Sequence, residues 1–505
     1  MVKYLIREHI EKLQAGEDIR KNLIGLKAEC KDFAGKHGVL YALNNDLQMF
    51  YGFLKAEDPK IRKNAALILG QLGEQSSLEP LYQAYETEET LFVKSSYLTA
   101  MKELDFRKYL EAFKNRLQEL METEAEESAK KHVQEERKIL QEMILMMEGS
   151  KKHTFTGWNV PSRVILLTNR NFRELTKDQL PTERCKVFNA GVQAYCEDLK
   201  QLFEIRTFSE LLFVLEDCPS IAVNNGENMD KIAEQVAQKL CDSTLLSFLQ
   251  KRHAGEGPYY FRIECKNKMD LKQKSGFTKK LAAYLEEKSA CALLNSTSHY
   301  EVELRLIENK TGGFNVLLKL YTIEDTRFAY RKEVLSSSIQ PVNAALAIRL
   351  AAPYLKKGAQ VLDPFCGVGT MLIERNRYEE TGDLYGIDLY GVGIDAAREN
   401  AKLAGIRVNY INRDFFDFKH DYLFDEVISN MPRVMGQKTA KEIQELYKKF
   451  WKKIQEHIGH GAILVLYCYD KDIFQATILY ERFRVLEEFE ISKKEGSYVF
   501  VIRYE

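Results

Sequence analysis

The stretch QVLDPFCGVGTMLIE, residues 360–374, reads as an apolar strand ending at Asp363, a tight glycine turn, and a helix that opens near Thr370. Gly367 and Gly369 carry no Cβ, so the backbone there is free to approach a ligand. A helix starting at that point turns unpaired N–H groups toward it. A dinucleotide-binding turn would carry a third glycine, for close helix–strand packing over a pyrophosphate. Met371 and Leu372 stand in that region instead. The stretch predicts a strand–turn–helix unit built around a ligand other than a dinucleotide.

The flanking sequence supplies matching elements. LYGIDL (384–389) is a second strand ending at Asp388, a carboxylate placed to accept from both hydroxyls of a ribose. ARENAKLAG follows as a helix, and VNYINRDFFDF (408–418) carries a third strand to Asp414 and Phe415. FDEVISNMPR (424–433) is a fourth strand running into the octet SNMPRVMG (429–436). GAILVLYCY (461–469), FRVLEEFEI (483–491) and SYVFVIRYE (497–505) complete the sheet, with an antiparallel hairpin at its end. VNAALAIRLA (342–351) is the helix that enters this domain. One acid at a strand end is commonly a turn or cap residue. An ordered set of them marks a site.

DPFCGVGT in this context resembles motif I of class I S-adenosyl-L-methionine-dependent methyltransferases, in the form shared by THUMP-bearing RNA methyltransferases. The resemblance implies a Rossmann-like α/β domain over 336–505 with a mainly parallel seven-stranded sheet. It implies S-adenosylmethionine as cofactor, held by Asp363, Phe365, Gly367, Gly369, Thr370, Asp388, Asp414, Phe415 and Asn430. Asp414 would lie against the adenine amino group, and Phe415 would pack on the ring. Tyr390 departs from the family, which often has a second acid two residues after the first. Relatives methylate guanosine N2 in tRNA or ribosomal RNA, so RNA is the implied partner and tRNA the favoured one. Adenosine N6, and an RNA-binding factor with a weakened methyltransferase domain, remain as alternatives.

The octet motivates the last of these. The family more often shows Asn or Asp, Pro-Pro, then Tyr or Phe; Met431 and Arg433 depart from it. An exocyclic amine is a poor nucleophile, and acceptors aimed at its hydrogens favour a reactive nitrogen and stabilise developing positive charge. Asn430 Oδ1 is one candidate acceptor. Pro432 lacks an N–H and disfavours helix before it, leaving a nearby carbonyl available. Arg433 lacks the ring but has a planar guanidinium that stacks on a base or grips a phosphate. Asn430, Pro432 and Arg433 are the expected catalytic set. Cys366, inside the glycine turn, is a poor candidate nucleophile.

Length and composition set wider bounds. At 505 residues the chain holds several domains of about 100–200 residues each. Its 73 Lys and Arg nearly balance 74 Asp and Glu, so any basic surface is local. No apolar run approaches the roughly 18 residues of a membrane helix. Nine cysteines without a CxxC pair or zinc spacing predict no metal site and a reduced, cytoplasmic setting.

Residues 1–118 read as consecutive amphipathic helices. Ile-Arg-Lys-Asn recurs at 19–22 and 61–64, and Val93-Lys94 stands where Ile61-Arg62 stood. Asp58 sits at a helix start. This resembles HEAT-type repeats, a stacked solenoid, with a plain helical bundle as the alternative. Such repeats would extend the RNA surface or bind a protein partner. Residues 119–148 read as one long charged helix, and EGSKKHTFTG (148–157) as a linker.

Residues 159–335 read as α+β. SRVILLTN is a strand, RTFSELLFVLE (206–216) a helix, and 231–252 one or two more helices. YYFRIECKN is a strand, GFTKKLAAYLEEK a helix with Thr278 near its start, and 300–322 a strand pair around a Gly-Gly turn. From Lys251 to Lys280 nine Lys or Arg face three acids. This predicts either a phosphate-tracking patch or ordinary solvated lysines. FRIECKNK, SGFTKKLAAYL, the strand pair and the exit RFAYRKEVLSSSIQPVNAALAIRLA (327–351) resemble a THUMP domain with its ferredoxin-like portion, which implies RNA contacts from Arg262, Lys266, Lys268, Lys272, Lys274, Lys279 and Lys280.

Overall fold

The computed structural model describes residues 2–122, 126, 128–148, 153–223, 228–436 and 438–505. The chain forms two compact units, 1–152 and 153–505.

The first unit is helical. Its elements include Ile19–Glu29, Pro59–Leu72, Leu78–Thr87, Leu91–Met101, Leu110–Glu122 and Lys130–Glu148. Asp58 caps the Pro59–Leu72 helix by accepting from Lys60 N at 2.8 Å, and Pro59 takes the first helical position, where no N–H is needed. The repeated asparagine joins neighbouring helices. Asn22 Oδ1 meets His9 Nδ1 at 3.0 Å, and Asn64 Oδ1 accepts from Lys27 Nζ at 2.8 Å. Each Asn also donates to a carbonyl four residues back, Asn22 to Asp18 and Asn64 to Lys60. Residues 119–148 are not one helix. Two helices end and begin at Glu122 and Lys130, with 123–125 and 127 outside the described residues.

In the second unit a nine-stranded sheet spans residues 162–320. The segment 206–216, expected as a helix, contains the strand Phe208–Phe213. It lies antiparallel to Ser162–Thr168 and touches Phe314–Leu320. Its Leu and Glu residues favour helix locally, but a short apolar run between two partner strands gains more from pairing and burial. Thr278 is not at a helix start. The helix is Leu271–Lys288, begun by Asp270 accepting from Gln273 N at 2.9 Å. The lysine-rich lead, residues 271–275, which lies between the expected strand and the expected helix, is therefore helical. Of the expected linker, 149–152 lie outside the described residues, and Thr154–Phe155 pairs with His253–Ala254.

The C-terminal sheet has seven strands: Val361–Asp363, Leu384–Asp388, Asn409–Asn412, Phe424–Asn430, Ile458–Tyr469, Phe483–Ser492 and Ser497–Tyr504. They lie side by side in the order third, second, first, fourth, fifth, seventh, sixth. The first five are parallel, and the last strand joins antiparallel to both its neighbours. Order reverses between the first and fourth strands, where open α/β sheets hold ligands at the carboxyl ends.

Two buried ion pairs hold the helix Thr370–Tyr378 behind that point. Arg375, fully buried, bonds Glu426 of the fourth strand through Nε at 2.7 Å and Nη2 at 3.1 Å. Glu374 receives both prongs of Arg206, each at 2.7 Å, and the Tyr330 hydroxyl at 2.6 Å. The helix after the glycine turn is thus tied to the strand bearing Asn430 and to the α+β portion. Among the described residues no helix is long and apolar enough to cross a membrane.

Candidate functional site

A cavity of about 420 Å³ opens at the reversal. Asp363, Phe365, Gly367, Thr370, Asp388, Asp414, Phe415, Asn430, Pro432 and Arg433 all line it. Residues from the ends of four strands, up to 67 positions apart in the chain, therefore share one concave surface.

The glycine turn does two different jobs. Gly367 has φ +51°, and a Cβ there would meet nothing within 4 Å, so its conformation alone asks for glycine. Gly369 has φ +81°, and a Cβ there would lie 2.2 Å from the Tyr410 hydroxyl. It stands behind the cavity wall, outside the lining, and its missing side chain makes room for Tyr410 rather than for a ligand.

The acids are anchored unequally. Asp388 accepts from Gly367 N at 2.8 Å and from Tyr390 N at 2.9 Å, which ties the second strand to the turn. Asp414 accepts from Phe416 N at 3.0 Å and caps the short helical turn Phe415–Asp417. Asp363 is 1% exposed; its Oδ1 accepts from Ser429 Oγ at 2.6 Å and from Phe365 N at 3.1 Å. Its Oδ2 is buried without a partner. Burial pushes its carboxyl up to about 7, against the opposing hydrogen bonds from Ser429 and Phe365. Burial also pushes the Cys366 thiol well up, so no thiolate nucleophile stands in the turn.

Among the described residues, Thr370 Oγ1 and Asn430 Oδ1 are likewise buried without partners. Asn430 Nδ2 has, among the described residues, only a long contact, 3.5 Å, to Ser337 O. Buried polar atoms rarely stay unsatisfied, and these three belong to residues that line one cavity. Of the carbonyls near Pro432, its own is taken by the Tyr447 hydroxyl at 2.5 Å. Arg433 lays its guanidinium over the Tyr469 ring, 4.2 Å from the centroid.

Sequence reasoning missed part of the wall. Leu335, Ser337, Ser338 and Ile339 come from the coil before the entering helix, and Met435 and Lys438 from the loop after the octet. Neither segment carries a periodic signal. The coil's one clue was its position, and it is pinned by Asn400, which exchanges hydrogen bonds with the Glu333 backbone at 2.9 and 3.2 Å.

The expected RNA-binding residues fare differently. Lys266, Lys268, Lys272 and Lys279 are exposed and Lys274 partly so. Arg262 is bound to Glu303 at 2.9 Å and sits over Tyr300 at 4.2 Å, and Lys280 pairs with Asp230 at 2.8 Å. Arg252, counted in the same basic run, is buried.

The strand order, the glycine turn and the acids at successive strand ends define a methyltransferase-like α/β fold in the C-terminal part, preceded by a helical N-terminal region. Residues 329–495 match the family model of the RMKL-like methyltransferase domain. The chain is 29% identical over 136 residues to a tRNA (guanine(10)-N2)-dimethyltransferase of Methanothermobacter thermautotrophicus, covering 26% of this chain and 38% of that protein. It is 30% identical over 117 residues to the U6 snRNA (guanine-N(2))-methyltransferase THUMPD2 of Mus musculus, covering 22% and 21%. The chain spans well under half the length of these two relatives. The solved structure of TrmN from Thermus thermophilus superposes with a TM-score of 0.53 at 18% identity, over 68% of this chain and 99% of that one.

Proposed function

We propose that this protein is a cytoplasmic, S-adenosylmethionine-dependent RNA methyltransferase acting on the exocyclic N2 of a guanosine, with tRNA the favoured substrate and ribosomal RNA the alternative. The observation that carries the reading is the buried, unpartnered Asn430 Oδ1 in one cavity with the glycine turn and three strand-end acids. The residues fit a nucleoside sulfonium donor. Asp388 retains lone pairs for ribose hydroxyls, Asp414 and Phe415 suit an adenine, and the open turn at Gly367 leaves room beside Asp363 and Thr370. When bound, S-adenosylmethionine supplies an electrophilic methyl group.

The chain's own residues then have to hold the target amine. Asn430 Oδ1 accepts one of its hydrogens, and the Met431 carbonyl serves as the second acceptor, since that of Pro432 is engaged. Two fixed acceptors orient the nitrogen lone pair and stabilise charge as it develops. Both relatives compared above are named for guanine N2, which favours that amine over adenine N6.

In this reading residues 1–118 form HEAT-like repeats that extend the RNA surface or bind a protein partner. Residues 119–158 connect them to a ferredoxin-like and THUMP segment, 159–335, whose lysines track phosphates. Residues 336–505 carry the chemistry. Nine cysteines that remain thiols suit a reducing compartment. Nucleoside mass spectrometry of RNA from cells with and without the protein tests the function. A methylguanosine lost on deletion and restored by the wild-type chain is the expected result; an unchanged nucleoside profile sinks the proposal.

A further inference from the structure

The cavity has a polarity that the cofactor does not explain. Its three acids come from the ends of the first, second and third strands. Its two cations, Arg433 and Lys438, follow the fourth strand, and the ring under Arg433 ends the fifth. By strand order, acids and cations lie on opposite sides of the reversal.

Arg433 is held in an uncommon way for an arginine. Among the described residues no carboxylate is within ion-pairing distance, and its one hydrogen bond is a weak contact of 3.9 Å to Met435 Sδ. The Tyr469 ring holds the guanidinium, its carbon 4.2 Å from the centroid, without accepting an N–H hydrogen bond. An arginine fixed by a carboxylate would have those donors occupied; this one presents them to a ligand. The ring contact leaves its N–H donors available, and such donors match an anion. Lys438 lines the same cavity and adds a second positive charge.

We propose that Arg433, positioned by Tyr469 and assisted by Lys438, grips a backbone phosphate next to the nucleotide being methylated. The octet's departure from an aromatic residue then exchanges base stacking for phosphate anchoring. This rests on the RNA methyltransferase reading above. The cofactor's carboxylate is the other anion of the same chemistry, and the test separates the two.

The full-length chain is assayed for transfer of labelled methyl groups into bulk RNA from cells lacking the protein, at several salt concentrations. Arg433→Gln is expected to raise KM for RNA about tenfold, with a smaller effect on kcat, and to make the plot of log kcat/KM against log salt shallower by about one. Tyr469→Phe keeps wild-type values; Tyr469→Leu shares the KM defect several-fold. Calorimetric binding of S-adenosylhomocysteine without RNA stays equal in wild type and Arg433→Gln. Equal KM and salt slope in Arg433→Gln overturns the proposal. So does an Arg433→Phe chain with wild-type KM and slope, which means base stacking, or a matching loss of S-adenosylhomocysteine affinity, which means the cofactor carboxylate. Should wild type transfer no methyl group, the function has failed, and filter binding of the same RNA across salt still reads the Arg433 slope.

Discussion

The turn after Asp363 and the basic run from Lys251 to Lys280 are both conspicuous in the sequence; the turn gathers orphaned polar atoms at one cavity, while cations of the basic run are partly paired. Around the turn, Asp363 Oδ2, Thr370 Oγ1 and Asn430 Oδ1 are buried and left unsatisfied. In the basic run, Arg262 and Lys280 have carboxylate partners and Arg252 is buried. Burial makes an unmet hydrogen bond expensive, on the order of 1–3 kcal/mol per group, so three such atoms on residues lining one cavity are groups that a ligand there would satisfy. Surface charge carries no such penalty, and a count of lysines does not say which are already neutralised.

The contrast is open to direct attack. Asn430→Ala removes the key unsatisfied acceptor and should lower kcat for methyl transfer about 100-fold or more while S-adenosylhomocysteine affinity stays within a few-fold. Retained activity would mean that the orphaned oxygen is incidental. Arg375→Met leaves Glu426 buried and uncompensated, which should cost about 3 kcal/mol or more by urea unfolding. A much smaller loss would show that the helix behind the turn is held by packing alone.

Asp363 gives a pH signature. Its carboxyl titrates at about 7 in the folded chain, against about 3.9 when unfolded. The folded state binds the proton more tightly, so this stabilisation is full below about pH 4 and is lost as pH rises through 7. Denaturation at a series of pH values should show wild type losing roughly 4 kcal/mol more than Asp363→Asn across that window. Parallel curves would remove the burial argument.

The smallest effects sharpen the other side. Lys272→Gln and Lys274→Gln should each weaken RNA binding about two- to fivefold at moderate salt, and Arg262→Gln less, because Glu303 already holds that guanidinium. Filter binding decides it; an equal or larger loss at Arg262 would mean that the ion pair opens to RNA.

The first four strands of the C-terminal sheet were legible because each ends close to a local signal: Gly367 after Asp363, the acid Asp388 itself, Asp414 just past Asn412, and Pro432 after Asn430. Strand Phe208–Phe213 was not, because its identity depends on partners at Ser162–Thr168 and Phe314–Leu320, far away in the chain. The helix start at Asp270 was hidden because the five residues after it, Leu271 to Ser275, show no apolar period of their own. The wall from Leu335 to Ile339 was missed for a related reason: coil has no period, and only its fastening to Asn400 brings it over the cavity.

The amino-acid order by itself determined the strand–glycine turn–helix unit, the acids at strand ends and the Asn-x-Pro octet, since turns and strand ends obey short-range sterics. Tertiary structure alone decided that Gly369 serves Tyr410, that Pro432's carbonyl is occupied, and that Arg433 rests on Tyr469. Those facts depend on which distant side chains come within a few ångströms, and no local pattern encodes that.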